Sequence, residues 1–242
     1  MMSYSFENKI RFSETADREK LSVGNIIDYM QDCTNYHSES LGVGIGYQIR
    51  TGRAWILNSW QIRINGDIRL GDTVRTTTWP CGFDKVFGYR NFTMANADQP
   101  EDFLVEAEST WIIMDVEKGR IAKIQQEDTE RYVCEPSLSE DLKKTKILPG
   151  TEYTEQTSYI VRRYQLDING HMNNSWYVKI AEEYVPQDRK ITFVRVEYKK
   201  SARLGDEIIP FVYDDDFRCL VELRDRDGSI YAVAEFSADS RD

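Results

Sequence analysis

A carboxylate, an amide and an imidazole stand at alternate positions in the segment Asp167-Ile-Asn169-Gly-His171. Histidine exchanges protons near neutral pH, so an imidazole beside polar partners suits acid/base chemistry on a bound water. A second interpretation gives Asn169 and His171 only the tasks of capping a helix and tightening a turn. Asp167 could equally form an Asx-type turn. The segment alone leaves both interpretations open.

Two helices and several strands must position these side chains. Ser22 can cap a first helix, whose apolar face carries Val23, Ile26, Ile27, Met30 and Cys33. Asn173 and Asn174 begin a second helix, with Tyr177, Ile180, Ala181, Tyr184 and Val185 on one face and Pro186 at its end. Alternating β-type runs follow each helix, at 55–64, 72–79, 88–94 and 104–114, and at 191–198, 207–213, 218–224 and 231–237.

The chain contains a faint internal repeat. Arg69-Leu-Gly-Asp72 recurs as Arg203-Leu-Gly-Asp206, and we expect an architectural turn in both places. Each copy predicts one long helix on an antiparallel sheet, an α+β fold. Aligning Tyr29 with Tyr177 places Val23 opposite His171, so the first copy lacks the imidazole.

We divide the chain into an N-terminal domain (1–130), a linker (131–157) and a C-terminal domain (158–242). The linker is rich in charge and contains Pro136, Pro149 and Gly150. We expect it to cross the surface, with a short helix at residues 140–144.

Composition excludes several classes of protein. The formal charge of −10 disfavours nucleic-acid and anionic-membrane partners. No apolar run could cross a bilayer, and the first residues lack the apolar core of a signal peptide, so we expect a soluble cytoplasmic protein. The four cysteines form no C-x-x-C pair, and we expect neither a metal nor a cofactor. His37, near the end of the first helix, is expected to act only as a cation that favours the helix dipole.

Three segments, in order, resemble the acyl-[acyl-carrier-protein] thioesterase family. Residues 167–177 with Val185-Pro186 resemble its D-x-N-x-H-V-N-N-x-x-Y segment, residues 109–115 and 120–124 resemble a first-domain strand and turn, and residues 197–200 resemble its E-Y-R-R. The resemblance implies a double hotdog, with two antiparallel sheets each wrapped around a long helix. It also implies that the first domain holds an acyl chain and the second hydrolyses its thioester.

Under this resemblance His171 is the hypothetical general base on water, Asn169 positions the water or polarises the carbonyl, and Asp167 orients the loop or the imidazole. Backbone N–H groups between Gly170 and Asn174 would stabilise the oxyanion. The family pattern continues with Glu and Cys, where this chain has Ser201 and Ala202. A cysteine nucleophile there is excluded, and Ser201 holding a water could replace the glutamate.

The resemblance also implies an acyl carrier protein as partner, which is acidic. Candidate contacts are Arg162, Arg163, Arg195, Lys199, Lys200 and Arg203, although exposed charges commonly serve only solvation. Trp55, Trp60, Trp79 and Trp111 could line an acyl tunnel or belong to the core. The alternatives are an acyl-CoA thioesterase and a non-hydrolytic acyl-binding protein; the extended motif argues against a dehydratase. Either a monomer or a homodimer fits the expected fold.

Overall fold

The computed structural model describes residues 3–15, 19–142 and 145–238. The helices in this part of the chain are α1 (Val23–Ser40), α2 (Ile45–Thr51), α3 (Gln126–Thr129) and α4 (Asn174–Glu182). The strands are β1 (Tyr4–Lys9), β2 (Arg53–Ile64), β3 (Thr73–Asp84), β4 (Phe87–Asn96), β5 (Phe103–Asp115), β6 (Arg120–Ile121), β7 (Thr154–Glu155), β8 (Tyr159–Ile160), β9 (Phe193–Tyr198), β10 (Glu207–Asp214), β11 (Arg218–Arg224) and β12 (Ile230–Ser237). The eight predicted strands are confirmed, and β1, β6, β7 and β8 add to them.

One antiparallel sheet runs through both halves in the order β1-β3-β4-β5-β2-β9-β12-β11-β10-β7, with β6 beside β5 and β8 beside β10. The halves meet where β2 pairs with β9, and Gln61 lies opposite Arg195. Gln61 and Arg195 are the same number of positions apart in sequence as the two Arg-Leu-Gly-Asp segments. The halves are therefore related by a pseudo-two-fold axis at this strand pair.

Alternation along the central strands builds the core on one face of the sheet. Trp60 and Ile62 of β2 and Val194 and Val196 of β9 are fully buried beneath the helices. Burial of such an aliphatic side chain stabilises the fold by roughly 1.5–3 kcal/mol. The residues between them face the other side, where Arg195 forms an ion pair with Glu235.

Both main helices begin at the predicted polar caps. Ser22 Oγ accepts the Asn25 N–H at 3.2 Å, and Asn173 Oδ1 accepts the Ser175 N–H at 3.1 Å. α1 has 18 residues whereas α4 has nine. Tyr184 and Val185, which were predicted on the second helix, follow it in a turn, because Pro186 disfavours helical backbone before it.

The C-terminal end of α4 contacts the N-terminal end of α1. The Glu182 carboxylate on α4 accepts the Val23 N–H at 3.0 Å and the Gly24 N–H at 3.3 Å, which are unpaired donors at the start of α1. Lys179 Nζ lies 2.6 Å from Asp28 Oδ2. A Cβ at Gly24 would lie 2.3 Å from Lys179 Cγ, so this close approach requires glycine.

The segments leading into α1 and α4 correct the sequence-based alignment of the halves. The backbone of Lys20 forms an isolated antiparallel β-bridge with that of Arg69, and His171 forms the equivalent β-bridge with Arg203. The residue opposite His171 is therefore Lys20, and the expected match with Val23 is wrong. The error is three residues, close to one helical turn, so the apolar periodicity fits both alignments.

The linker covers the sheet face opposite the helices. Ile147 packs against Leu220 and Val233 on that face, and Leu142 is fully buried. The short helix expected at 140–144 is a single 3₁₀ turn at Glu140–Leu142, and residues 143 and 144 lie outside the described residues.

Within the described ranges, the helices are too short or too polar to span a bilayer. Each half curves its sheet around one helix, and the two sheets continue into each other. This is the double-hotdog arrangement that the resemblance implies.

Candidate active site

The loop before α4 is shaped by Asp167. Its Oδ1 accepts the Asn169 N–H at 2.8 Å and the His171 N–H at 3.0 Å. Gly170 has φ of +72°, a left-handed conformation that glycine adopts without strain. Asp167 is thus an Asx-turn former whose hydrogen bonds orient the loop. Within the described part of the chain, its carboxylate makes no hydrogen bond to the imidazole.

Backbone hydrogen bonds attach this loop to its surroundings. The Met172 N–H donates to the Ala202 carbonyl at 2.8 Å, and the Asn173 N–H donates to the Gln165 carbonyl at 2.9 Å. Met172 is buried while His171 is half-buried and Asn169 is exposed. The attachment therefore directs the polar side chains away from the core.

The three predicted residues are brought to one cavity. Asp167, Asn169 and His171 line a cavity of about 380 Å³ between the halves, and Ser201 joins them there. The opposite wall comes from the first half and includes the aromatic side chains of Trp55, Phe83 and Trp111. Such a mixture of an apolar wall and a few convergent polar groups is typical of small-molecule sites.

Two of the four tryptophans proposed for a tunnel are on this wall. Trp55 and Trp111 line the cavity. Trp60 is fully buried in the core, and Trp79 lies on the linker side, where its Nε1 donates to the Pro136 carbonyl at 3.0 Å. Successive side chains of a strand point to opposite faces of the sheet, and the sequence did not show which of these faces lines the cavity.

Gln31 of α1 is a site residue that sequence reasoning missed. Its Nε2 donates to Asn173 Oδ1 at 3.1 Å, and its Oε1 accepts from Asn174 Nδ2 at 2.9 Å. The side chain lines the same cavity. One residue of the first half therefore holds both helix-start asparagines of the second. No local signal could reveal it, because the contact spans more than 140 positions.

The expected oxyanion donors are corrected to a smaller set. The N–H groups of Gly170, His171, Met172 and Asn173 all donate to acceptors within the protein. Only the Asn174 N–H of that group has no acceptor among the described residues. It lies at the N-terminus of α4, where the helix dipole favours negative charge.

The positions after β9 differ in what they present to the cavity. Ser201 is exposed and lines it, whereas Ala202 is fully buried in the core. The Ala202 N–H donates to Tyr177 Oη at 2.7 Å. The side chain at 202 thus packs in the core, and the one at 201 faces the cavity.

His37 is not the cation that was expected. It is fully buried, and its Nδ1 accepts a hydrogen bond from Arg90 Nη1 at 3.0 Å. Burial, reinforced by the positive charge of Arg90, lowers the pKa of His37 to about 4. The ring is neutral at pH 7, so the predicted interaction of a charged His37 with the helix dipole is wrong.

The six basic residues considered for a carrier separate into two groups. Arg195, Lys199 and Lys200 form ion pairs with Glu235, Glu197 and Asp225. Arg162, Arg163 and Arg203 are exposed and have no carboxylate partner in the ranges that the structure describes. The backbone of Val161 pairs with that of Gly205 and Asp206, and the backbone of Arg203 pairs with that of His171, so these arginines lie on segments next to the polar loop.

Fold and site together define a double-hotdog protein with a polar loop at a cavity between its halves. Models of the acyl-ACP thioesterase N-terminal and C-terminal domains match residues 2–132 and 150–237. The chain belongs to the acyl-ACP thioesterase family, and the resemblance stated above is confirmed.

Plant relatives match most of this chain. The chloroplastic acyl-[acyl-carrier-protein] hydrolase FATB3 of Cuphea viscosissima is 24% identical over 217 residues, which is 84% of this chain and 52% of that protein. The chloroplastic oleoyl-acyl carrier protein thioesterase 1 of Arabidopsis thaliana is 24% identical, over 86% of this chain and 62% of that protein. The chain thus spans about half to three-fifths of the length of these relatives.

Solved structures share the architecture over nearly the whole chain. An acyl-ACP thioesterase from Bacteroides thetaiotaomicron superposes with a TM-score of 0.87 at 18% identity, covering 98% of this chain and 97% of that one. The 12:0-ACP thioesterase of Umbellularia californica gives a TM-score of 0.85 at 20% identity, with the same coverage. At this identity they establish the double-hotdog fold.

Proposed function

We propose that the protein hydrolyses the thioester of an acyl-acyl-carrier-protein and releases a free fatty acid. The main support is the convergence of His171, Asn169 and Ser201 on one cavity whose opposite wall is aromatic. Thioester hydrolysis requires an activated water, donors for the developing oxyanion and an apolar groove for the chain. Family membership supplies the reaction class.

In this proposal His171 is the general base that removes a proton from water. Asn169, exposed beside it, positions that water, and Ser201 takes the place of the family's glutamate as a second ligand of the water. The Asn174 N–H at the start of α4 donates to the carbonyl oxygen as it becomes an oxyanion. Asp167 acts on the loop and not on the substrate.

The first half holds the acyl chain, with Trp55 and Trp111 as the apolar wall. The division into 1–130, 131–157 and 158–242, and a cytoplasmic location, belong to the same proposal. Arg162, Arg163 and Arg203 form the surface that receives the acidic carrier protein, since they are exposed and have no carboxylate partner among the described residues.

A substrate panel tests the reaction. Purified protein is assayed with one acyl group attached to carrier protein or to coenzyme A, with release of free thiol as the readout. We expect a higher kcat/KM with the carrier protein. Preference for coenzyme A would favour an acyl-CoA thioesterase, and absence of turnover with both would favour a non-hydrolytic acyl-binding protein.

Charge reversal tests the partner. Changing Arg162, Arg163 and Arg203 together to glutamate should raise KM for the carrier-bound substrate while kcat changes little. The matched control reverses Arg50, Arg120 and Lys123, which lie in the first half. Equal effects of the two triple variants would remove the proposed surface.

A further inference from the structure

Part of the linker runs beside β3, past the point where β1 ends. β1 pairs with the first part of β3, Thr73–Thr78. Beyond that point the Glu135 N–H donates to the Pro80 carbonyl at 3.0 Å. Trp79 Nε1 also donates to the Pro136 carbonyl at 3.0 Å. The linker therefore contacts β3 through its backbone where β1 no longer covers it.

These contacts define an antiparallel register between the linker and β3. Position 79 is opposite 136, and position 80 is opposite 135, so the two segments run in opposite directions. Further along, the ring centres of Phe83 and Tyr132 are 6.1 Å apart, which places 83 opposite 132. The same register places Cys81 opposite Cys134, between these contacts.

Cys81 and Cys134 thus form a cross-strand pair. Side chains opposite each other in antiparallel strands lie on the same face, and next to a hydrogen-bonded position the Cα atoms are about 4.5 Å apart. A disulfide requires a Cα separation of about 4.4–6.8 Å. Burial raises the pKa of Cys81 to about 12, and the neighbouring Glu108 and Cys134 add to the rise. The two thiols are therefore close enough to join after side-chain rotation.

The local backbone leaves this pair free to react. Both residues are free thiols, with Cys134 exposed and Cys81 half-buried. The register of β3 with β4 shifts between Pro80 and Gly82, so Cys81 is the extra residue of a β-bulge. A bulged residue is not held by ladder pairing. The Cys81 side chain can consequently turn toward Cys134 while β3 stays paired with β4.

We propose that Cys81 and Cys134 are a disulfide site that joins the linker to β3, with a small disulfide such as oxidised glutathione as the oxidant. The exposed Cys134 thiolate attacks the small disulfide and releases one thiolate. Cys81 then attacks Sγ of Cys134 in the mixed disulfide and releases the second. Two S–H bonds break and one S–S bond forms in the protein, and the two protons pass to the two released thiolates.

The acidity of the thiols favours a bond that forms slowly and resists reduction. Burial raises the pKa of Cys134 as well as that of Cys81. A disulfide is easily reduced when the protein stabilises the reduced thiolate, and neither thiolate is stabilised in this pair.

The bond would connect two parts of the cavity wall. Pro80 and Phe83 of β3 line the cavity, and so does Tyr132 of the linker. The closed segment contains β4 and β5, so the bond also restricts the unfolded chain and stabilises the fold.

Peptide mapping of the wild type tests the site without any substitution. The protein is incubated with oxidised glutathione, unfolded, alkylated and digested without reductant. We expect two of the four cysteines to escape alkylation and one fragment to link Cys81 to Cys134. Links to Cys33 or Cys219, a glutathione adduct that persists on Cys134, or alkylation of every cysteine would overturn the proposal.

Thermal melting shows whether the folded protein accommodates the bond. The oxidised wild type should melt about 5 °C or more above the reduced protein, since a disulfide that closes a long segment stabilises the fold. Cys134→Ser is the matched control, and its Tm should not respond to the oxidant. A linked protein that melts at or below the reduced Tm would contradict the inferred register. Neither measurement depends on hydrolysis, so failure of the proposed function would leave both expectations unchanged.

Discussion

The two halves share a backbone arrangement and differ in one residue of the segment that leads into the main helix. Arg69-Leu-Gly-Asp72 and Arg203-Leu-Gly-Asp206 form equivalent turns, with Gly71 at φ of +89° and Gly205 at +85°. Arg69 in the first turn forms a backbone β-bridge with Lys20, and Arg203 in the second turn forms one with His171. Lys20 is paired with Asp67 at 2.7 Å, whereas His171 lines the cavity. The fold thus supplies equivalent positions in the two halves, and under the proposed function only the side chain of the second half takes part in hydrolysis.

The two histidines show the same division. His37 is buried beside Arg90 and contributes to the packing of the first half. His171 is half-buried at the mouth of the cavity. We therefore expect acid to affect stability through His37, and substitution to affect hydrolysis through His171.

The largest expected effect is on hydrolysis, at the pair of equivalent positions. His171→Ala should lower kcat by about a hundredfold or more, because a positioned general base contributes that much. Lys20→Ala, the matched change in the first half, should alter kcat by less than about twofold, as an exposed ion pair contributes little. Steady-state hydrolysis of one carrier-bound substrate measures both. Equal losses would refute the claim that only the second half is catalytic.

Acid should next weaken the first half through His37. The folded pKa of about 4 is below the unfolded value of 6.5, so the unfolded chain binds the proton more tightly between these values. The contribution of His37 is complete above pH 6.5 and is lost as the pH falls toward 4, by up to about 3 kcal/mol. Urea unfolding across this range measures the loss.

Imidazole NMR provides the control for this prediction. The chain has only two histidines, so His171→Ala assigns the remaining signal to His37. Titration of that signal near 6.5 would show that His37 is not buried as described.

A third effect should appear in the loop. Asp167→Ala removes the acceptor of the Asn169 and His171 N–H groups and should lower kcat about tenfold, because misplaced groups lose catalytic geometry. Asp167→Asn retains an Oδ1 acceptor and should keep most of the activity. Steady-state kinetics with matched melting curves measure this. If Asp167→Asn is as impaired as Asp167→Ala, the carboxylate charge acts on the imidazole after all.

The smallest expected effect is at the contact between the helices. Glu182→Ala removes the acceptor at the start of α1 and should cost about 1 kcal/mol of unfolding free energy, as for the loss of an N-cap. Burial raises the pKa of Glu182, so the stability that it contributes falls as the pH rises from the unfolded value through the folded one.

Glu182→Gln is the matched variant, since it keeps an acceptor and cannot ionise. It should be more stable than Glu182→Ala and should remove this part of the pH dependence in urea unfolding. Identical stability of the two variants at every pH would show that the contact does not cap α1.

Local sequence rules predicted the helix starts, the main strands and the polar loop well. Ser22 and Asn173 were predicted as helix starts because their side-chain oxygens can accept N–H groups two or three residues later. The eight main strands were legible from alternation, and the 167–171 segment identified the loop that reaches the cavity. In these cases the local structure is determined by interactions among a few neighbouring residues.

Contacts between distant residues were not predictable in the same way. Gln31 and Arg90 look like ordinary polar residues until α1 and β4 are placed beside the cavity. The burial of His37 depends on β1, β3 and β4 packing around α1, and it removes the positive charge that was expected. The alignment of the halves failed because a shift of three residues preserves the apolar face of a helix.

The most direct test of the division between the halves is a crystal structure of His171→Ala bound to a carrier protein that carries the preferred acyl group. We predict that the thioester carbonyl lies within hydrogen-bonding distance of the Asn174 N–H, with Asn169 and Ser201 beside it and the chain between Trp55 and Trp111. A thioester beside Lys20, or a chain outside the cavity, would contradict the account.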